Sequence, residues 1–475
     1  MKPADSVADK GGYNACVSDP TQASPPLIAE EPRWRIYGCL ALLLVGLYLI
    51  LGPKITLSEW QVSPDGNTAM DEALQWQKGS LALSHRFSES AEAGGQYYNV
   101  VGLAFTLLAV ATTLLTDLLT VVTGSAGLDG ASAGLSTAQY VALVALPLPL
   151  VAFWAFRTIT GNAPWAAVMA AALIAGTSLA PVLATCRTGS IYYINHVLAV
   201  MGLLIFGAEL LGRQRVWPAV AGLCIAAWSR QMTLLYALPL IWIVWRGHGA
   251  PRHAGVAERW SSSGPMNGSP TTPPIWPVEL ETGSPPGRPA RRRLIFVLIG
   301  VALAAGVPMF LNTLKFGNPL ECGYQRLYEG RTDPIGRRAQ AALFGLRYIP
   351  MHAWAMNVAY PAWDLRAGTL YADVSDVNGG SIWLTSPLLL GVFLTARRWW
   401  SDPRRRALMI GTLPVVVGLW GYHTTGADGS GYYRYALDFL PLWLLVISPY
   451  TTGRRGRPLG LACLAYSALY FNLLP

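Results

Sequence analysis

Apolar runs long enough to cross a hydrocarbon core of roughly 30 Å recur along the whole sequence, which rules out a single small soluble domain. Candidate segments fall at 36–53, 99–123, 138–156, 164–184, 191–212, 216–229, 231–246, 294–313, 381–396, 407–422, 435–450 and 458–474. Charged residues make up only 13% of the chain, about half the share of an ordinary soluble domain, so lipid is the solvent for most of it. The expected class is an all-α polytopic membrane protein, seated in a cell inner (plasma) membrane.

Charge placement predicts the topology. A polar leader, 1–35, precedes the first segment and lacks a small-residue cleavage site, so a retained first span is expected rather than a signal peptide. The stretch 246–293 is rich in Pro, Ser and Gly, carries seven Arg against three Glu, and ends in Arg291, Arg292 and Arg293. It is expected to be a disordered cytoplasmic linker. It divides an N-terminal membrane region, 36–245, from a C-terminal one, 294–475. Basic clusters at 397–406 and 454–457 should also face the cytoplasm. Seven segments between Ile36 and Arg246 are one too many, since an odd number starting inside would leave Arg246 outside. One must be re-entrant, interfacial or fused with its neighbour; the pair split by Arg230 and the charge-poor region 99–156 are the two suspects. About 11 transmembrane helices follow, with the C-terminus outside.

Two sizeable non-cytoplasmic loops remain, 54–98 and 315–380, each expected to carry short interfacial helices. In the first, Met70, Ala73, Leu74 and Gln77 are spaced to lay an amphipathic helix along the membrane surface. Asp71 and Glu72 on that helix are neighbouring candidate acids, though on a surface helix they are expected to be solvated. Cys186 and Cys322 both fall at the outer face, where a disulfide between them is conceivable. None of the six cysteines has CxxC or CxxH spacing, so no metal site is indicated.

Beyond the first span lies Ser63-Pro64-Asp65-Gly66-Asn67. These residues make a good β-turn in which Asp65 bonds its own backbone. An acid fixed just above the bilayer is also placed to take a proton from an acceptor hydroxyl. Charged groups inside apolar runs carry a second signal, because each costs roughly 2.5 to 3.5 kcal/mol to insert without a partner or a wet cavity. Arg230 interrupts such a run, and Arg187 and Arg434 stand at expected outer boundaries, where guanidinium groups can hold phosphate oxygens in pairs. Snorkelling or anchoring at the interface explains the same positions. For His196, one turn into a segment, a satisfied internal hydrogen bond is expected.

The layout resembles the GT-C superfamily of multispanning glycosyltransferases that use polyprenyl-phosphate sugars, including its bacterial protein mannosyltransferase-like and ArnT-like branches. The resemblance rests on Asp65 with Ala73 and Gly79 after the first span, and on Tyr97-Tyr98-Asn99 leading into the second. Three further patches carry it: Trp228-Ser229-Arg230, Phe316 to Tyr324, and Tyr433 to Pro441. It departs at Asn99-Val100-Val101-Gly102, where the family often has a second acid pair or a basic, Pro-rich run. The resemblance implies Asp65 as catalytic base, and it marks Tyr97, Tyr98, Glu321 and Tyr324 as substrate-binding positions. Arg230, Arg187 and Arg434 would then hold the donor phosphate.

The net charge of +9 does not point to nucleic acid, since the basic residues sit in loops beside spans. No GxGxxG, Walker or HExxH pattern stands in a suitable context. The donor is therefore expected to be a lipid-linked sugar delivered by the membrane, with no cofactor, and the acceptor an unspecified glycan, lipid or protein. A transporter or flippase would use the same intramembrane charges.

Overall fold

The computed structural model describes residues 31–51, 68–87, 89–100, 102–123, 145–186, 191–246, 288–360, 362–366, 369–373, 380–425, 431–453 and 456–473. Asp65, Arg187 and almost all of the expected cytoplasmic linker lie outside them. The fold is predominantly helical, as expected, with two small additions. Antiparallel hairpins pair β1 (Ser90–Ala93) with β2 (Gln96–Asn99) and β3 (Ala362–Arg366) with β4 (Thr369–Asp373). The first turns on Gly94 and Gly95, both at positive φ, where only glycine avoids strain.

Among the described residues three helices are long and apolar enough to cross a membrane: Arg33–Leu51, Tyr193–Arg213 and Arg291–Phe316. One bent helix pair is long and apolar enough when its two parts are taken together. Ala163–Ala175 (α5) and Leu179–Cys186 (α6) meet at 61°, where α5 ends on Gly176 and α6 begins two residues before Pro181. Val216–Ser229 and Leu440–Thr451 are shorter apolar helices. The expected single span 381–396 is a chain of short turns, Ile382–Thr385, Pro387–Leu390, Gly391–Leu394 and Ala396–Ser401. Pro387 removes a backbone donor within that run, and Ser381 caps the first turn through Leu384 N–H.

The first helix, α1 (Arg33–Leu51), touches the rest of the protein through Leu43, Leu47 and Leu51 on one narrow stripe. Its 19 residues reach about 28 Å. Helix α2 (Thr68–Gln77) forms where the spacing predicts one, yet a different face is inside. Thr68, Ala69, Glu72 and Ala73 are buried against α3 (Leu103–Thr123), and Gln77 Nε2 donates to Thr113 Oγ1 at 2.7 Å. The helix is therefore docked on its neighbour, and the expected solvation of Glu72 is overturned.

At the centre stand α7 (Ile191–Ala208) and α8 (Val216–Ser229). A Cβ built on Gly202 would lie 2.6 Å from the Gly222 carbonyl oxygen, and one on Gly222 would lie 2.6 Å from that of Gly202. The two backbones touch because neither residue has a side chain. In lipid, where helix association gains little from the hydrophobic effect, such close packing is the main attraction.

Side-chain neighbours fix the direction of the helices around this pair. Trp217 stacks on Phe296, Cys224 Sγ contacts Gly300 O, and Trp228 Nε1 donates to Ala304 O. Helix α8 therefore runs parallel to α10 (Arg288–Phe316). After Arg230, a 3-10 turn and α9 (Ala237–Arg246) pass Gly418 with Met232 and Gly411 with Pro239, antiparallel to the later helix Pro403–Trp420. The two segments split by Arg230 thus form a helical hairpin with Arg230 at its apex. Arg215, Arg246, Arg291 to Arg293 and Arg404 to Arg406 gather at one end of the bundle. Arg230, Lys315 and Trp420 lie at the other. The basic grouping expected from the sequence is a spatial cluster.

Candidate functional site

Two polar constellations lie at the end of the bundle away from the arginine cluster. The first begins with the break after α8. Ser229 Oγ folds back on Ile225 O, and Arg230 is extended at φ −142°, ψ 101°. That backbone turn points Arg230 at Asp438. Its Nε lies 3.2 Å from Asp438 Oδ1, and its Nη2 lies 3.2 Å from Oδ2. Asp438 is fully buried at the end of a 3-10 turn, Arg434–Asp438, whose last carbonyl accepts from Tyr236 Oη at 3.1 Å. A buried carboxylate needs such a partner, and the forked guanidinium supplies two parallel bonds.

Arg230 Cζ also stands 4.8 Å from the Tyr435 ring centre, and Arg434 Cζ stands 5.5 Å from the same ring and 5.0 Å from that of Tyr193. One aromatic ring thus faces two cations. Asp438 is within ion-pair reach of Arg230 but not of Arg434 among the described residues, so this corner carries an excess of positive charge. His196 is buried beside it, with Nδ1 3.9 Å from Asp438 Oδ1 and no hydrogen bond at that nitrogen. The satisfied internal bond expected for His196 is not made at Nδ1, which stands beyond hydrogen-bond distance of Asp438.

The second constellation centres on Glu72. Its Oε2 accepts from Asn99 Nδ2 and Thr106 Oγ1, both at 2.6 Å, and its Oε1 pairs with the Lys315 ammonium. Lys315 also donates to Asn99 O at 3.1 Å. Three segments far apart in sequence build this cluster: α2, the end of β2 leading into α3, and the last turn of α10.

Between the two constellations opens a cavity of about 120 Å³ whose polar lining includes Glu72, Asn99, Arg230, Lys315, Tyr324 and Tyr422. Its apolar wall is built by Pro308, Leu311, Leu343 and Leu419. Burial raises the Tyr324 hydroxyl above the usual tyrosine range, so it stays protonated and able to donate. The volume is on the order of four water molecules, enough for one small polar group held between a carboxylate and two cations.

Of the residues marked in the sequence, Arg230 and Tyr324 line this cavity, whereas Arg434 lies outside the lining and shares the Tyr435 ring with Arg230. Tyr97 and Tyr98 sit on β2 outside the lining. Tyr98 Oη donates to Gln96 Oε1 at 2.8 Å, and its ring packs edge-on against Phe316. Their neighbour Asn99 is the residue that points inward. Glu321 is also displaced from the cavity: its Oε1 accepts from Gly323 N at 2.9 Å and locks the turn that presents Tyr324. Cys186 and Cys322 are both free thiols, so the conceivable disulfide is not formed.

Asn99, Lys315, Asp438 and Tyr422 are not marked as site residues by the sequence, and Glu72 only as a candidate acid expected to be solvated. Asp438 had a readable signal, since it opens an apolar run and an unpaired acid there is costly. Among the described residues no group of three or more His, Cys, Asp or Glu is arranged to hold a metal. Comparison with known proteins finds no matching family model, no matching curated protein and no matching solved structure.

Proposed function

We propose that the chain is a membrane glycosyltransferase that moves a sugar from a polyprenyl-phosphate donor to an acceptor on the non-cytoplasmic face of the plasma membrane. The observation that carries this reading is the meeting of Glu72, Lys315 and Arg230 around one small cavity, bounded on another side by the apolar residues Pro308 and Leu311 of α10. A carrier lipid can lie along α10 while its phosphate reaches Arg230 and Lys315. Those cations then favour the charge that develops as the phosphate departs.

In the transfer, the acceptor oxygen forms a bond to the anomeric carbon as the bond from that carbon to the phosphate oxygen breaks. The phosphate leaves with the electron pair, and the acceptor proton passes to a carboxylate. Asp65 keeps the role of base that the family resemblance implies. Glu72 is the carboxylate at the cavity itself. The chain is taken to cross the membrane about eleven times with the cavity end outward, since the arginine cluster at the opposite end suits the cytoplasm.

The test is release of polyprenyl phosphate by the purified protein in liposomes, offered a panel of polyprenyl-phosphate sugars. The wild type should release it, and Asp65→Asn and Glu72→Gln variants identify which carboxylate the step needs. A second reading, a transporter of lipid-linked or small polar substrates, draws support from the helix pair bent at Gly176. Sugar movement across the liposome without cleavage of the donor would favour it.

A further inference from the structure

Between Tyr324 and Tyr348 the chain carries five arginines against two acids. This segment lies at the end of the bundle opposite the main arginine cluster. Phe344 bridges to Tyr422, and Gly345 N donates to Gly421 O at 2.8 Å, just beyond the end of helix Pro403–Trp420. Basic residues are disfavoured on the outer side of a membrane protein by the rule that orients it, so this concentration calls for a separate cause.

Three of the five arginines share one feature. Arg337, Arg338 and Arg347 line an open groove of about 540 Å³ together with Pro334, Ala341, Tyr348 and Met351, and no acid lines it. The nearest carboxylate, Asp333, is already engaged: it pairs with Arg331 and accepts from Gly336 N at 2.6 Å to cap helix Pro334–Ala341. Arg347 Nη2 donates only to the neutral Tyr348 hydroxyl, and Arg338 Nη1 reaches only Met351 Sδ, at 3.6 Å. Arg338 Nε is buried with no hydrogen-bond partner. Among the described residues no carboxylate stands within ion-pair distance of any of the three.

The surroundings of the groove are apolar and open. Leu346, next to Arg347, is 83% exposed, and Trp354, one turn beyond Met351, is 61% exposed. An exposed leucine and tryptophan flanking unpaired guanidinium groups, beside the end of helix Pro403–Trp420, match the chemistry of the bilayer interface. There the apolar side chains meet acyl chains while the cations meet phosphates.

We infer that the Arg337, Arg338 and Arg347 groove is a binding site for the phosphate of an anionic phospholipid headgroup, which seats this loop on the outer membrane surface over the cavity. The inference rests on the membrane reading and not on sugar transfer. The full chain, exchanged through micelles doped with equal phosphatidylglycerol and phosphatidylcholine, should enrich phosphatidylglycerol, measured by mass spectrometry of the retained lipid. The triple variant R337Q/R338Q/R347Q should lose that enrichment altogether, since each of the three arginines contributes about fivefold. If that variant does not fold, the exposed Arg347 alone decides: R347K should keep most of the enrichment and R347Q should lose part of it. Unchanged enrichment in the glutamine variants overturns the site. Displacement of phosphatidylglycerol by millimolar inorganic phosphate at equal potency overturns the lipid assignment, because the groove would then read a free anion.

Discussion

Arg230 and Asp438 stand 208 residues apart in sequence and are joined by a forked pair of hydrogen bonds of 3.2 Å each inside the bundle. The pair ties the apex of the α8–α9 hairpin to the start of α14 (Leu440–Ile447). Removing one partner leaves the other charge buried without compensation, which costs on the order of 3 to 5 kcal/mol. Asp438→Asn should therefore lower the melting temperature in detergent far more than a substitution at exposed Arg457. An Arg230→Lys variant keeps the charge but cannot form the fork. It should melt between the wild type and Asp438→Asn; melting as low as Asp438→Asn would show that charge compensation is not what the pair supplies.

The contact between Gly202 and Gly222 gives a sharper test of packing. Any side chain at either position meets backbone atoms at about 2.6 Å, and backbone cannot move aside as a flexible side chain can. Gly222→Val should destabilise α7 against α8 by more than the roughly 1 to 3 kcal/mol of ordinary overpacking. Gly306, where a Cβ meets nothing within 4 Å, should accept alanine with little change. Equal melting of the two variants would remove the central helix contact.

Much of this architecture was legible from the sequence, and the misses share a physical cause. Hydropathy finds helices that face lipid, such as α1 and α10, because their apolar surface is continuous. It overcounts length in the interior, where Pro387, Gly176 and the extended Arg230 break runs of equal hydropathy. The cavity was half visible. Arg230 stood out as a charge inside an apolar run, whereas Glu72 looked like one more polar residue on a surface helix. Only tertiary contact with Lys315, 243 residues away, makes it a buried ion. The resemblance draws attention to Tyr97 and Tyr98, yet it is Asn99, where β2 ends, that reaches Glu72.

Acid should loosen the segment 334–357 through two histidines. His352 Nδ1 bonds Tyr433 Oη at 2.7 Å and its Nε2 meets Tyr422 O at 2.8 Å, joining helix Ile349–Asn357 (α12) to the bundle. Burial, with a smaller contribution from Arg338, holds its pKa down to about 4, and burial does the same for His423, also to about 4. Both lie below the ordinary 6.5, so the unfolded chain binds more protons between those values. Their stabilisation is complete above pH 6.5 and is lost as pH falls towards 4, on the order of 3 kcal/mol for each group. Amide protection factors in residues 334–357, each taken against the intrinsic exchange rate at its own pH, should be lower at pH 4.5 than at pH 7. His352→Gln should flatten that response; an unchanged pH dependence in this variant and in His423→Gln would exclude the histidines.

The pair of Glu72 and Lys315 separates structure from chemistry. Lys315→Met leaves a buried carboxylate held by Asn99 and Thr106 alone, and Glu72→Gln leaves a buried ammonium, so each should cost several kcal/mol. The double variant Glu72→Gln/Lys315→Met removes both charges together. Glutamine can still accept from Thr106, and methionine fills the lysine stem. Stability should therefore return to within about 1 kcal/mol of the wild type, as a buried ion pair often contributes little net stability. Release of polyprenyl phosphate should not return, because the cavity then lacks both a carboxylate to take the proton and one of its cations. A stable double variant that releases polyprenyl phosphate at the wild-type rate would make the pair purely structural and leave Asp65 as the acid to pursue.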